Sequence, residues 1–185
     1  MSSAATRYLV GQSDLGRGRF ASEPLPPLEP GQALLKVDRF AFTANNITYA
    51  ETGERLQYWK FFPSGEAGWG VIPVWGFADV VASRAEGLEE GERIYGFLPM
   101  ATHLVVRPER IGASGFVDSS AHRQALPAAY NAYVRCRGDA LYRMEHEDLQ
   151  SLLRPLFITS FLIDDFLADN AFFGATEVLV SSASS

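Results

Sequence analysis

Cysteine and histidine are scarce in this chain. Cys136 is the only cysteine, and the three histidines, His103, His122 and His146, lie far apart in sequence. One thiol excludes an internal disulfide framework and a cysteine-rich zinc site. No histidine pair stands at ligand spacing, so no metal site is expected. A run of about 18 apolar residues, which a membrane-spanning helix requires, is missing. So is an apolar signal core of roughly 7–15 residues at the N-terminus, MSSAATRYLVGQSDLGRG. The default expectation is therefore a cytoplasmic protein without a membrane partner. A basic stripe is missing too. The 16 Lys and Arg and 22 Asp and Glu are scattered, the net charge is -6, and a nucleic-acid partner is not expected. What remains is ordinary globular material. The 185 residues are 47% apolar and 21% charged, enough for one packed domain, or one domain and part of another.

Punctuation by glycine and proline divides the first part of the chain. TRYLVGQ reads as a short strand and SDLGRGRF as a turn-rich connection. EPLPPLEPGQ, residues 23–32, carries four prolines and reads as an extended surface loop. In ALLKVDRFAFT, residues 33–43, Leu35, Val37, Arg39 and Ala41 alternate with Leu34, Lys36, Asp38, Phe40 and Phe42, the pattern of a strand. NNITYAETG predicts a short helix closed by Gly53 at the first position past its end. The stretch containing Tyr58, Trp59, Phe61, Phe62 and Trp69 is irregular. Strands follow over about 77–83 and 93–97, and a further one in MATHLVVRPERI ends near Pro108. Residues 1–115 thus read as an all-β domain, a barrel or sandwich.

The pattern changes in residues 116–170, which read as a helical insertion and a linker helix. Ser119 or Ser120 is a candidate N-cap, and Ala125, Ala128, Ala129, Ala132 and Tyr133 follow at helical spacing. Leu149, Leu152, Leu153, Leu156, Phe157 and Ser160 repeat with the period of an amphipathic helix. Pro155 predicts a kink or break in it, and Asn170 its end. ATEVLVSSASS, residues 175–185, then reads as a buried strand entering a loop of small residues.

The order of these pieces and several motifs resemble the zinc-free medium-chain dehydrogenase/reductases, the quinone and enoyl reductase-like branch. ALLKVDRFAFTANNITYAETG resembles that branch's strand leading to Asn-x-x-Asp-x-Tyr-x-x-x-Gly. GFADVVASR, GLEEGERIYGF and MATHLVVRPERI resemble its later strands and turns, and PLFITSFLIDDFL the helix before its cofactor lobe. ANNITYA, IPVWGFADVVAS and LLRPLFITSFLIDDFLADN also resemble a bacterial family within it that is known only as a domain of unknown function. The resemblance covers most of the chain except 116–150. In the first motif only Tyr49 and Gly53 keep register. Ile47 stands at the Asp and Ala44 at the Asn, with Asn45 and Asn46 beside it. The positions of the zinc ligands of the zinc-dependent branch read Phe42 to Asn45 and Trp75 to Phe77, which cannot bind zinc.

The resemblance implies a mainly β fold: a GroES-like β-barrel catalytic domain, helices, and at 171–185 the first strand of an incomplete Rossmann-like lobe. It implies hydride transfer from NADPH to an activated C=C bond or a quinone, with a small molecule as substrate and an oligomer in the full-length protein. Tyr49 would contact the substrate oxygen or deliver a proton. Asn45 or Asn46 would bond the nicotinamide or the substrate, Thr159 would face the nicotinamide edge, and Ser181, Ser182 and Ser184 would replace the glycines of a phosphate loop. The chain would then be the N-terminal portion of such an enzyme, inactive alone. Each residue also has a plainer reading. Tyr49 packs; the two asparagines cap and turn; Thr159 bonds its own helix; the aromatic stretch is core, or walls a pocket. On that reading the protein is a non-catalytic binding module, or has no reductase activity.

Overall fold

A computed structural model describes residues 4–181. The chain divides into two compact units, Met1–Leu152 and Leu153–Ser185. The first is built from β1 (Ala4–Gly11), β2 (Asp14–Pro24), β3 (Ala33–Ala41), the short helix α1 (Ala44–Glu51), β4 (Trp69–Gly70), β5 (Pro73–Ser83), β6 (Arg93–Pro99), β7 (His103–Val106), β8 (Pro108–Glu109), β9 (Gly115–Asp118) and β10 (Ala132–Arg135). Helix α2 (Glu147–Asp169) follows.

A small sheet has the order β2-β1-β4, and a seven-stranded sheet the order β7-β3-β5-β6-β10-β9-β8. Strands β7 and β8 are the two edges of the larger sheet, yet only Arg107 separates them in sequence. The two edges must therefore approach one another, and the sheet curls into a nearly closed barrel.

Period-2 alternation fills its core. Leu35, Val74, Ala78, Val80, Ile94 and Leu98 share one cluster with Phe116 and Tyr133 and are buried. Phe77, Tyr95 and Phe97 alternate with them and are buried in other clusters, so β5 and β6 are covered on both faces. Gly96 lies on the inner face because a Cβ there would stand 2.3 Å from the Tyr133 ring.

Four sequence expectations are corrected. SDLGRGRF is not a connection but most of β2, paired with β1 through a two-residue turn, Gln12 and Ser13. It lacks apolar alternation because it is an exposed edge strand held by its backbone ladder. The helix expected after Ser119 is replaced by two short 3-10 turns and β10, which lies between β6 and β9. Pro127 and Asn131 interrupt the alanine spacing, and the β6 and β9 backbones offer a ladder instead. Pro155 does not break α2, a helix of 23 residues that loses one backbone donor there. Finally, residues 175–181 form no strand. Val178, Leu179 and Val180 are exposed, and no strand among the described residues pairs with them. A strand exists only through a neighbour's hydrogen bonds, so apolar composition alone cannot make one.

In the second unit, the rest of α2 leads to a 3-10 turn, Ala171–Gly174, in which Phe172 and Phe173 have positive φ. Leu153, Phe157, Phe161 and Phe166 are all exposed. No helix among the described residues is long and apolar enough to cross a membrane.

Candidate active site

The turn after β3 is tied down by Asn46. Its Oδ1 accepts the Thr43 backbone N–H at 2.6 Å, capping α1, and its Nδ2 donates to Pro73 O at 2.8 Å, fastening the helix to the start of β5. Asn46 is buried. Gly53 sits just past the helix as expected, but its φ is not positive. A Cβ there would meet the Trp59 indole at 2.4 Å, so close approach and not left-handed backbone calls for glycine.

This anchoring places Tyr49 in a nest of rings. Tyr49 lies 4.5 Å from Tyr58 and 5.8 Å from Phe97, centroid to centroid. Tyr130 lies 4.6 Å from Phe97 and 6.0 Å from Trp75, and the Tyr58 and Tyr130 hydroxyls are 3.0 Å apart. Tyr49, Tyr58, Trp75 and Tyr130 are half-buried, whereas Phe61 and Phe97 beneath them are fully buried. The nest thus has an apolar floor and a rim of three phenols and an indole.

Burial raises the pKa of Tyr49, and a hydrogen bond with Trp75 opposes this without cancelling it. Burial raises Tyr130 further, and the bond to Tyr58 adds to the shift. Both phenols are protonated at neutral pH. Since one of the two hydrogens in the Tyr58–Tyr130 pair is spent between them, the other is free to donate elsewhere.

Beneath the nest, Arg123 is buried and holds the segment carrying Tyr130. It donates to Asp118 Oδ2 at 2.9 Å, to the Tyr133 hydroxyl at 2.8 Å and to Tyr130 O at 2.7 Å. Tyr133 in turn donates to Phe97 O at 2.7 Å, tying this segment to β6.

Of the residues singled out in the sequence, Tyr49, Asn45 and Asn46 share α1. Asn45 is exposed there and takes no part in the cap. Thr159 is exposed on α2 and donates to Pro155 O at 3.0 Å; Ser181 is exposed, and both belong to the second unit. Ser182 and Ser184 lie outside the described residues. A nicotinamide dinucleotide would need unspent polar groups near Tyr49 and a backbone cradle for its phosphates. Of the residues expected to hold it, Asn45 is exposed on α1, the helix that carries Tyr49. Asn46 and Thr159 have their groups engaged, and residues 175–181 form neither strand nor helix start. Sequence reasoning missed Trp75 and Tyr130. The aromatic stretch around Tyr58 was a signal for one wall, but nothing local linked it to residues so far along the chain.

The family model described as "Protein of unknown function (DUF2855)" matches residues 40–185, from the end of β3 onward. The chain belongs to that family. Its match includes α1, the aromatic nest, the Arg123 network and α2. A search of curated proteins found no match.

Proposed function

We propose that the first unit is the GroES-like substrate lobe of a zinc-free, NADPH-dependent reductase, acting in the full-length protein on a quinone or an activated C=C bond. The observation that carries this is the nest itself: half-buried protonated phenols and an indole over an apolar floor. A flat ring stacks on such a surface, and a phenol beside it donates to the carbonyl oxygen. The bound cofactor would supply the hydride. Tyr49 hydrogen-bonds the acceptor's oxygen as negative charge grows there, which lowers the barrier more than it stabilises the ground state. Burial keeps Tyr49 protonated, so it can play this part across neutral pH.

The test is NADPH consumption by the full-length protein with a panel of quinones and enones. Tyr49→Phe is expected to lower kcat by roughly 10²–10³, the usual cost of losing one oxyanion donor, with near-ultraviolet circular dichroism otherwise native. The native rate stays flat through neutral pH and falls only above the ordinary tyrosine range. Turnover unaffected by Tyr49→Phe, or no turnover on any acceptor, overturns the reading.

One observation favours a second reading, a non-catalytic binding module. The side chains of Asn46 and Thr159, candidates for the cofactor, are used by the fold itself. On that reading quinones quench Trp75 fluorescence saturably, and NADPH neither binds nor is consumed.

A further inference from the structure

A helix draws most of its stability from the packing of one face, yet no side chain of α2 after Ser151 is buried. Within the second unit, Leu156, Thr159, Ile163 and Phe166 step along the helix by three or four residues, the spacing of a coiled-coil seam. Leu153 and Leu162 flank that line. The five apolar members of this stripe are each at least half exposed. Phe161 lies on the opposite side of the helix and is not part of it.

The stripe is composed to lie dry. Thr159, in the seam, donates to Pro155 O at 3.0 Å, and Ser160 beside it donates to Leu156 O at 3.1 Å. Both hydroxyl hydrogens are spent inside the helix, so covering this face leaves neither donor unsatisfied. Asp164 and Asp165 fall off the seam.

The stripe also complements its own copy. With two helices antiparallel about a two-fold axis near residues 160–162, Leu156 of one meets Phe166 of the other, and Thr159 meets Ile163. At the middle, then, a small side chain faces a large one, which allows close packing. Asp164, Asp165 and Asp169 all stand toward the C-terminal end of α2. An antiparallel pair keeps the two acidic ends apart and opposes the helix dipoles, whereas a parallel pair would set like charges together. Exposed over half their surface or more, the five apolar side chains offer on the order of 100 Å² each, so two copies together approach the roughly 1,000 Å² that a stable interface needs.

We propose that this stripe is a dimerisation face, covered by the same stripe of a second copy of this chain with the two α2 helices antiparallel. The proposal is independent of the reductase reading, since no residue of the aromatic nest takes part.

Sedimentation equilibrium of the 185-residue chain should show monomer and dimer in exchange at micromolar concentration, with no larger species. Ile163→Asp puts a charge into the seam of each copy and should weaken dimerisation at least about a hundredfold. Phe161→Asp adds the same charge on the opposite side of the helix and should change it less than about fivefold. Ser160→Cys places a thiol beside the axis, where each copy meets its twin, and a short bismaleimide should join the two chains. Phe161→Cys should not be joined, and the native thiol of Cys136 is buried. A chain that is monomeric at every concentration, equal dimerisation of Ile163→Asp and Phe161→Asp, or equal cross-linking of the two cysteine variants would each overturn the proposal. The first of these is also the result expected if another domain, and not a second copy, covers the stripe.

Discussion

The two units use apolar residues in opposite ways. In Met1–Leu152, the strands bury theirs on both faces of β5 and β6, and Phe61, Phe77, Phe97, Ile94 and Leu98 have no exposed surface. In Leu153–Ser185, Phe157, Phe161, Phe166 and Leu179 are exposed, Leu179 at 94%. Both segments are apolar with regular spacing. The spacing sets local conformation, but only a partner removes the surface from water, and stabilisation comes with that removal.

The sharpest test of this contrast is Phe97→Ala. Phe97 touches Tyr49, Phe61, Phe62, Trp75 and Tyr130, and its loss should cost about 3–5 kcal/mol in urea unfolding. Arg123→Met should cost a similar amount, about 3–5 kcal/mol, because Asp118 is left buried without its partner. The double variant Arg123→Met/Asp118→Leu should recover a large part of that loss in the same assay, since replacing a whole buried pair is far cheaper than halving it.

Acidity sharpens the comparison from another side. Glu147 and Glu92 are buried, which alone would raise their pKa. Arg93 and Tyr142 bonding Glu147, and Arg135 bonding Glu92, outweigh burial and lower both. Their stabilising contribution is therefore present above the unfolded glutamate pKa of about 4.3 and is lost as pH falls through the lower folded values. Urea midpoints measured down a pH series should drop across that window, and Glu147→Gln should flatten part of the drop. The smallest effect belongs to the exposed unit: Phe161→Ala should change unfolding by no more than about 0.5 kcal/mol. Limited proteolysis should cut first within residues 175–181, which lack any backbone ladder. First cleavage inside β5 or β6 would break the contrast.

Much of the β unit was legible in the chain. Alternation located β3, and the strands expected over about 77–83 and 93–97 fall within β5 and β6, although β5 already begins at Pro73; the proline-rich segment expected as an extended surface loop over 23–32 is a loop only after Pro24, where β2 ends. Gly53 marked the end of α1, though for the sake of Trp59 and not for its own backbone. The errors fell where local composition and long-range pairing disagree. β2 has glycine and arginine where a strand is expected to alternate, but β1 supplies its ladder. The segment around β10 has helical alanine spacing, but β6 and β9 claim its backbone. For the candidate site, Tyr49 was legible through its place in a motif, and Asn46 through its capping chemistry. Trp75 and Tyr130 were not, because they meet only after β5, β6 and the segment before β10 are laid side by side.

By itself, then, the sequence determined the strands with strong alternation, the short helix after β3, the long helix ending at Asn170, and the absence of a disulfide framework. These follow from local periodicity and residue chemistry. Tertiary structure alone decided that the sheet nearly closes and that residues 116–135 supply two of its strands. It alone gathered Tyr49, Tyr58, Trp75 and Tyr130 over Phe97 and Phe61. Such outcomes depend on contacts between residues distant in sequence, whose energies arise only when their surfaces meet and leave water together.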